Sequence, residues 1–226
     1  MNTENKKTKN TSDKNGSPRM SSTKSQTTGS TKSTRISASS TKGETKAVRD
    51  NTNRSSKPYT QSAQTEYHKL FVDAVKDIYW AEQQLTKGLR KMSKAATSPK
   101  LAAAFDKHIA ESGKQIAVIE QVFELLGEKP ATKRCAAMAG LLEEAESAIS
   151  DTEKNSFVRD AALIMASQKA EHYEIATYGT LAALAEYLPE KRVASLLNKI
   201  LAGEKKTDVS LTKLAEDCIN EYAAAE

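Results

Sequence analysis

From position 71 onward, apolar residues recur at alternating steps of four and three, the spacing of one buried helix face. The first such stripe is Phe71, Val75, Ile78, Glu82, Leu85, Leu89 and Met92. The second runs Phe157, Ala161, Ile164, Gln168, Glu171, Ile175, Tyr178, Ala182 and Ala185, with Glu174 nearly one turn beyond Glu171. The third runs Val193, Leu197, Ile200, Glu204, Asp208, Leu211, Ala215, Cys218 and Tyr222. Acid interrupts each stripe near its middle. An ionised carboxylate taken out of water is costly unless a metal, a proton or a cation compensates it.

Punctuation along the chain sets the expected elements. Thr65 is placed as the N-cap of a helix over about 66–96, and Ser98-Pro99 opens a second that Leu126-Gly127 closes. Beyond Pro130 a shorter helix is expected at about 134–150. A long helix follows the Asp151 to Ser156 stretch and ends at Leu188-Pro189, and a last one covers about 190–223. No strand is predicted. Four long helices and a short one read as an all-α, ferritin-like four-helix bundle, with the short helix on the crossover. The long helices centre near residues 82, 112, 171 and 206, so the interrupting acids share one height. That is the geometry of carboxylate-bridged dimetal sites.

The second helix contributes least to this picture. Its stripe is Phe105, Ile109, Ser112, Ile116, Ile119, Phe123 and Leu126, which leaves His108, Glu111 and Gln115 on the flank. A di-iron helix would carry Glu-x-x-His here, whereas positions 110–113 read Ala110, Glu111, Ser112, Gly113. The candidate metal ligands are therefore Glu82, Glu171, Glu174, Glu204 and Asp208, joined by Glu111 and His108 if the flank turns inward. His172 lies off the stripe, and Tyr178 is placed to hydrogen-bond a ligand carboxylate or to serve as plain core. Oxygen-rich donors with few imidazoles favour iron or manganese over zinc. The competing explanation is a cluster of protonated or water-bridged acids. Simple salt bridges fit poorly, because Lys169, Lys205 and Lys206 point about 100 degrees or more away from the neighbouring acids.

Composition divides the chain. Residues 1–65 hold 26 Ser or Thr, 13 Lys or Arg and only 4 Asp or Glu, a net charge of +9 that leaves −4 for residues 66–226. The first segment cannot bury a core and is expected to be a disordered basic tail, with the second as one bundle domain. Dispersed cations on such a tail suit non-specific contact with DNA phosphates; a merely solvated extension is the alternative. No apolar run is long enough to span a bilayer and no secretory leader is apparent, so a cytoplasmic location without a membrane partner is expected. Cys135 and Cys218 form no CxxC and read as reduced thiols. Neither a phosphate-binding glycine loop nor a Ser-His-Asp pattern is present, and enzymatic activity is left open.

Several stretches resemble the YciE and YciF family of ferritin-like bacterial stress proteins. They are LFVDAVKDIYWAEQQL from Leu70, VFELLGEKP from Val122, CAAMAGLLEEA from Cys135, RDAALIMASQKAEHYEIATYG from Arg159 and EKKTDVSL from Glu204. The resemblance covers essentially all of residues 66–226. It implies a ferritin-like bundle, a bacterial source, induction under stress and a dinuclear or partly occupied iron or manganese site. A homodimer or higher homo-oligomer is also expected. One stretch departs: where relatives carry HLEETHGQ, this chain has HIAESGKQ, with Ala110 and Gly113 at two of the ligand-type positions. An incomplete site is the expected consequence, with a metal-free scaffold that binds a protein partner or DNA as the alternative.

Overall fold

The computed structural model describes residues 61–226, in which six α-helices and one π-helical turn are joined by short connections. They are α1 (Gln61–Ala95), α2 (Pro99–Leu125), α3 (Ala136–Ser150), α4 (Phe157–Ala185), α5 (Arg192–Leu214), a π-turn at Ala215–Ile219 and α6 (Asn220–Ala225). Most of the expected tail, residues 1–60, lies outside the described residues. Helix α1 begins at Gln61, earlier than its sequence signals suggest. Thr65 therefore sits inside the helix, its hydroxyl donating back to the Gln61 carbonyl at 2.9 Å instead of capping. Among the described residues no helix is long and apolar enough to cross a membrane.

Helix directions follow from contacts at the two ends. Tyr67 at the start of α1 donates to the Leu184 carbonyl at the end of α4, and Asp160 at the start of α4 accepts from Thr97 and Ser98 at the start of α2. So α4 is antiparallel to α1 and parallel to α2. The chain must travel the length of the bundle between α2 and α4, and α3 rides on that crossover, packed on α1 and α4. Gly88 permits this: a Cβ there would collide with the Leu142 side chain of α3. Helices α1–α2 and α4–α5 form the tight pairs, which meet along α1–α4 and α2–α5.

Local signals account for the boundaries. Pro99 opens α2 with its N-cap Ser98, and Gly127 at φ +70° ends it, with the Glu128 amide donating to Phe123 and the Gly127 amide to Glu124. Ser156 caps α4 by accepting from the Arg159 amide at 3.1 Å. The side chain of Ser98 caps nothing. Its place is taken by Asp160, fully buried, whose two oxygens each accept a backbone amide at 2.7 Å. Asp160→Ala removes both acceptors at once and is expected to lower stability by roughly 2–4 kcal/mol, read as a shifted urea midpoint at unchanged m-value. An effect below about half a kcal/mol would mean that other groups cap α2.

The stripe of α1 is buried as its periodicity predicts, Glu82 included. On α3, Met138 and Ala145 are buried while Glu143 and Glu144 are exposed, again as the helical phase predicts. The π-turn was not legible. It slips the register of the last helix, so Ile219 is buried and Tyr222, the final member of the predicted stripe, is 54% exposed.

Candidate metal centre

At mid-height the bundle core is polar. Glu82 on α1, Glu171 and Glu174 on α4 and Glu204 on α5 are all fully buried, and His108 on α2 is 2% exposed. One ligating atom from each of His108, Glu171, Glu174 and Glu204 lies within 4.8 Å of the others. Glu82 adjoins the group: its charge is felt at Glu174, and it feels the charge of Glu204 in turn. Carboxylates therefore reach the centre from three helices and an imidazole from the fourth.

Helix α2 is turned differently from the sequence expectation. Its buried face is Leu101, Phe105, His108, Ser112, Gln115, Ile119, Val122 and Phe123, so Phe105, Ser112, Ile119 and Phe123 of the predicted stripe are buried while Ile109 and Ile116 pack at its edge. The sequence stripe followed the isoleucines and put His108 and Gln115 on the flank. The physical reason is polar satisfaction: four buried acids need donors or a cation, and only the His108–Ser112–Gln115 side of α2 offers donor or ligand groups. Ala110 and Gly113 are exposed, and a Cβ at Gly113 would meet open space. The departure from HLEETHGQ thus falls on the solvent face. Ala110→Glu or Gly113→His would not reach the core.

The remaining candidates sit outside the cluster. Asp208 is partly buried in the α4–α5 seam, where it accepts from Gln168 at 3.2 Å and faces His172 at 3.4 Å. Glu111 is half-buried beside Lys107, 3.5 Å away on its own helix.

Two donors hold the cluster from outside. Tyr178, fully buried, donates to Glu82 Oε1 at 2.5 Å, and Gln115 donates to Glu204 Oε1. The other oxygen of each acid, both oxygens of Glu171 and Glu174, and both ring nitrogens of His108 make no hydrogen bond. His108 Nδ1 lies 3.1 Å from Glu171 Oε1, yet the two are not aligned to share a hydrogen. Lone pairs that approach without pointing at each other are arranged as ligands of a common ion are.

No internal cation explains these acids. Among the described residues Arg159 is the buried cation; it is twelve residues from Glu171, about 18 Å along the helix. Its donors are spent on Ile149 and Thr152 in the α3–α4 connection. Burial, followed by the Glu204 charge, raises Glu82 to about 8 and Glu171 to about 10. Glu174 is driven well above the usual carboxylate range by burial and then by Glu82, Glu204 and Glu171. Burial, and to a lesser extent the Glu111 charge, raises Glu204 to about 7, while its contact with Glu171 and the Gln115 amide hold it down. His108 is lowered to about 4, first by burial and then by Lys107, and is neutral at physiological pH as a metal ligand must be. Metal-free, the cluster keeps protons on acids that water would ionise. The donor set, carboxylate oxygens with a single imidazole, fits a hard or borderline divalent cation such as iron or manganese.

Fold and site together define an all-helical, ferritin-like bundle with a buried carboxylate–histidine cluster that could hold a metal. Residues 66–224 match the family described as a domain of unknown function, DUF892, and the chain belongs to that family. It is 49% identical over 155 residues to protein YciF of Escherichia coli K12, spanning 68% of this chain and 93% of the relative. The crystal structure of that E. coli protein, described as a stress protein, matches with a TM-score of 0.65 at 48% identity, over 68% of this chain and 97% of the other. YcfI of Rhodopseudomonas palustris matches with a TM-score of 0.62 at 40% identity, over 65% of this chain and 92% of the other.

Proposed function

We propose that this is a cytoplasmic stress-protection protein of bacterial type whose bundle holds iron or manganese between Glu82, His108, Glu171, Glu174 and Glu204. The observation that carries the metal reading is the set of buried, unpartnered carboxylate and imidazole atoms facing one another with no protein cation among them. The stress role is supported by the description of the E. coli relative.

When bound, such a metal supplies redox or Lewis-acid chemistry in a dry cavity. The chain's own part is to prepare the cavity. Tyr178 orients Glu82, Gln115 orients Glu204, and burial keeps His108 neutral. The apolar layers above and below, from Ile78, Leu85, Ile119 and Leu163 among others, exclude water.

Loading with Fe(II) or Mn(II), followed by desalting and elemental analysis, tests the reading. Roughly one to two ions per chain are expected in the wild type, and near none in the Glu171→Ala, Glu204→Ala double variant. A wild type that retains no metal would favour the other reading, a metal-free scaffold acting through a partner.

A further inference from the structure

The cluster has no exposed member, so an ion arriving from water must cross a wall of the bundle. On the α1–α4 side the wall is covered by α3. On the α2 side the nearest outer acid is Glu111, whose charge is felt at the buried Glu204, but the Lys107 ammonium lies 3.5 Å from it and its charge also reaches His108. A cation approaching there competes with the Lys107 ammonium for the Glu111 carboxylate.

The α4–α5 seam is different. The His172 side chain is 70% exposed, and its Nε2 lies 3.4 Å from Oδ1 of Asp208, which is 19% exposed. Asp208 is one turn from Glu204 on α5, and its negative charge is felt at the buried Glu171. Gln168 donates to the same Asp208 oxygen and to Thr212 at 2.7 Å, which keeps the carboxylate in the seam. Exposure thus falls stepwise from His172 through Asp208 to Glu171, each step carrying a ligating atom. Beside these residues opens a groove of about 610 Å³ bordered by Gln168, His172, Ala215 and Asn220, where the π-turn interrupts the last helix. Lys169 also borders the groove, but its ammonium is paired with Glu144.

We propose that His172 and Asp208 form a transit site that takes a hydrated divalent cation from solvent and passes it to Glu171 and Glu204. The assignment rests on the metal reading above, with a separate residue pair and a separate observable. A transit site sets the rate of filling, whereas the buried ligands set the final affinity.

Stopped-flow mixing of the full-length chain with Mn(II), followed through Trp80 fluorescence and the loss of the free-ion electron paramagnetic resonance signal, reads both quantities. His172→Ala and Asp208→Asn are each expected to slow uptake about tenfold and to flatten its salt dependence, with final occupancy equal to wild type. Glu111→Gln should leave the rate within about twofold. Unchanged rates in the seam variants, or slowing by Glu111→Gln instead, would overturn the route. Loss of final occupancy in Asp208→Asn would make that residue a ligand of the resting ion and also overturn it. A wild type that binds no Mn(II) at equilibrium removes the metal reading itself, a result distinct from a wild type that binds while the variants fill at its rate.

Discussion

In the presence of a chelator the protein should lose stability as pH rises from about 6.5 to 8, and saturating Mn(II) should reverse the loss. The sign follows from the folded-state protons. Burial raises Glu82 to about 8 and Glu171 to about 10, and puts Glu174 well above the ordinary range. The unfolded chain releases those protons near pH 4.3, an ordinary carboxyl value. Stability held by these groups is therefore complete below that pH and drains away as pH climbs through the folded values. His108, lowered to about 4, acts in the opposite sense. The unfolded imidazole gains a proton below about 6.5 that the folded one refuses, which offsets about one of the carboxylate protons on the acid side. The three retained carboxyl protons outweigh that one, so stability already declines between about pH 4.3 and 6.5 and falls more steeply above about 6.5, where the carboxylates act alone.

At about 1.4 kcal/mol per proton per pH unit, with two or three protons retained, the fall from pH 6.5 to 8 comes to roughly 4–6 kcal/mol. Manganese at one hundred times its dissociation constant returns about 2.7 kcal/mol. Because it displaces those protons, it binds more tightly at higher pH and releases acid to the buffer. Urea unfolding across this pH range, with chelator and with Mn(II), measures the effect. Metal-free stability that is flat or rising between pH 6.5 and 8 would mean the acids are already ionised and compensated.

Replacing Glu171 with Gln should stabilise the metal-free protein while abolishing metal binding, a pairing of effects that a purely structural residue would not produce. At neutral pH the folded chain keeps Glu171 protonated although the unfolded chain would ionise it. The folded state forgoes up to about 4 kcal/mol on that account. Gln has the shape of the protonated acid and no proton to lose, and its amide can donate to Glu204. A gain of about 2 kcal/mol at pH 7, shrinking as pH falls and vanishing toward pH 4, is the expected result of urea titrations in chelator. Mn(II) should no longer raise the midpoint. Glu171→Ala is less informative because the cavity it opens is itself destabilising. Destabilisation by the Gln variant would show instead that Glu171 carries a hydrogen-bond network in the folded core.

Periodicity alone determined that residues 66–226 fold as helices, that four long ones and a short one make the bundle, and that Glu82, Glu171 and Glu204 lie at one height. Those features are legible because an apolar stripe can face only one way, and a lone acid within it has no other place to point. Every member of the α1 stripe is fully buried, with Val72, Tyr79 and Ala81 buried beside it. Helix α2 was not legible in this way. Ile109 and Ile116 compete with His108 and Gln115 for the interior at neighbouring angles, and hydropathy favours the isoleucines. Only the assembled bundle, with four acids from three other helices already at its centre, makes the polar row the better inward face. The same holds for Asp208. Its spacing from Glu204 fits a ligand, but Gln168 and His172 from the neighbouring helix hold it in the seam. Which acids interrupt the stripes is written in the chain; which donors answer them depends on helix rotation, and rotation is fixed by all the neighbours together.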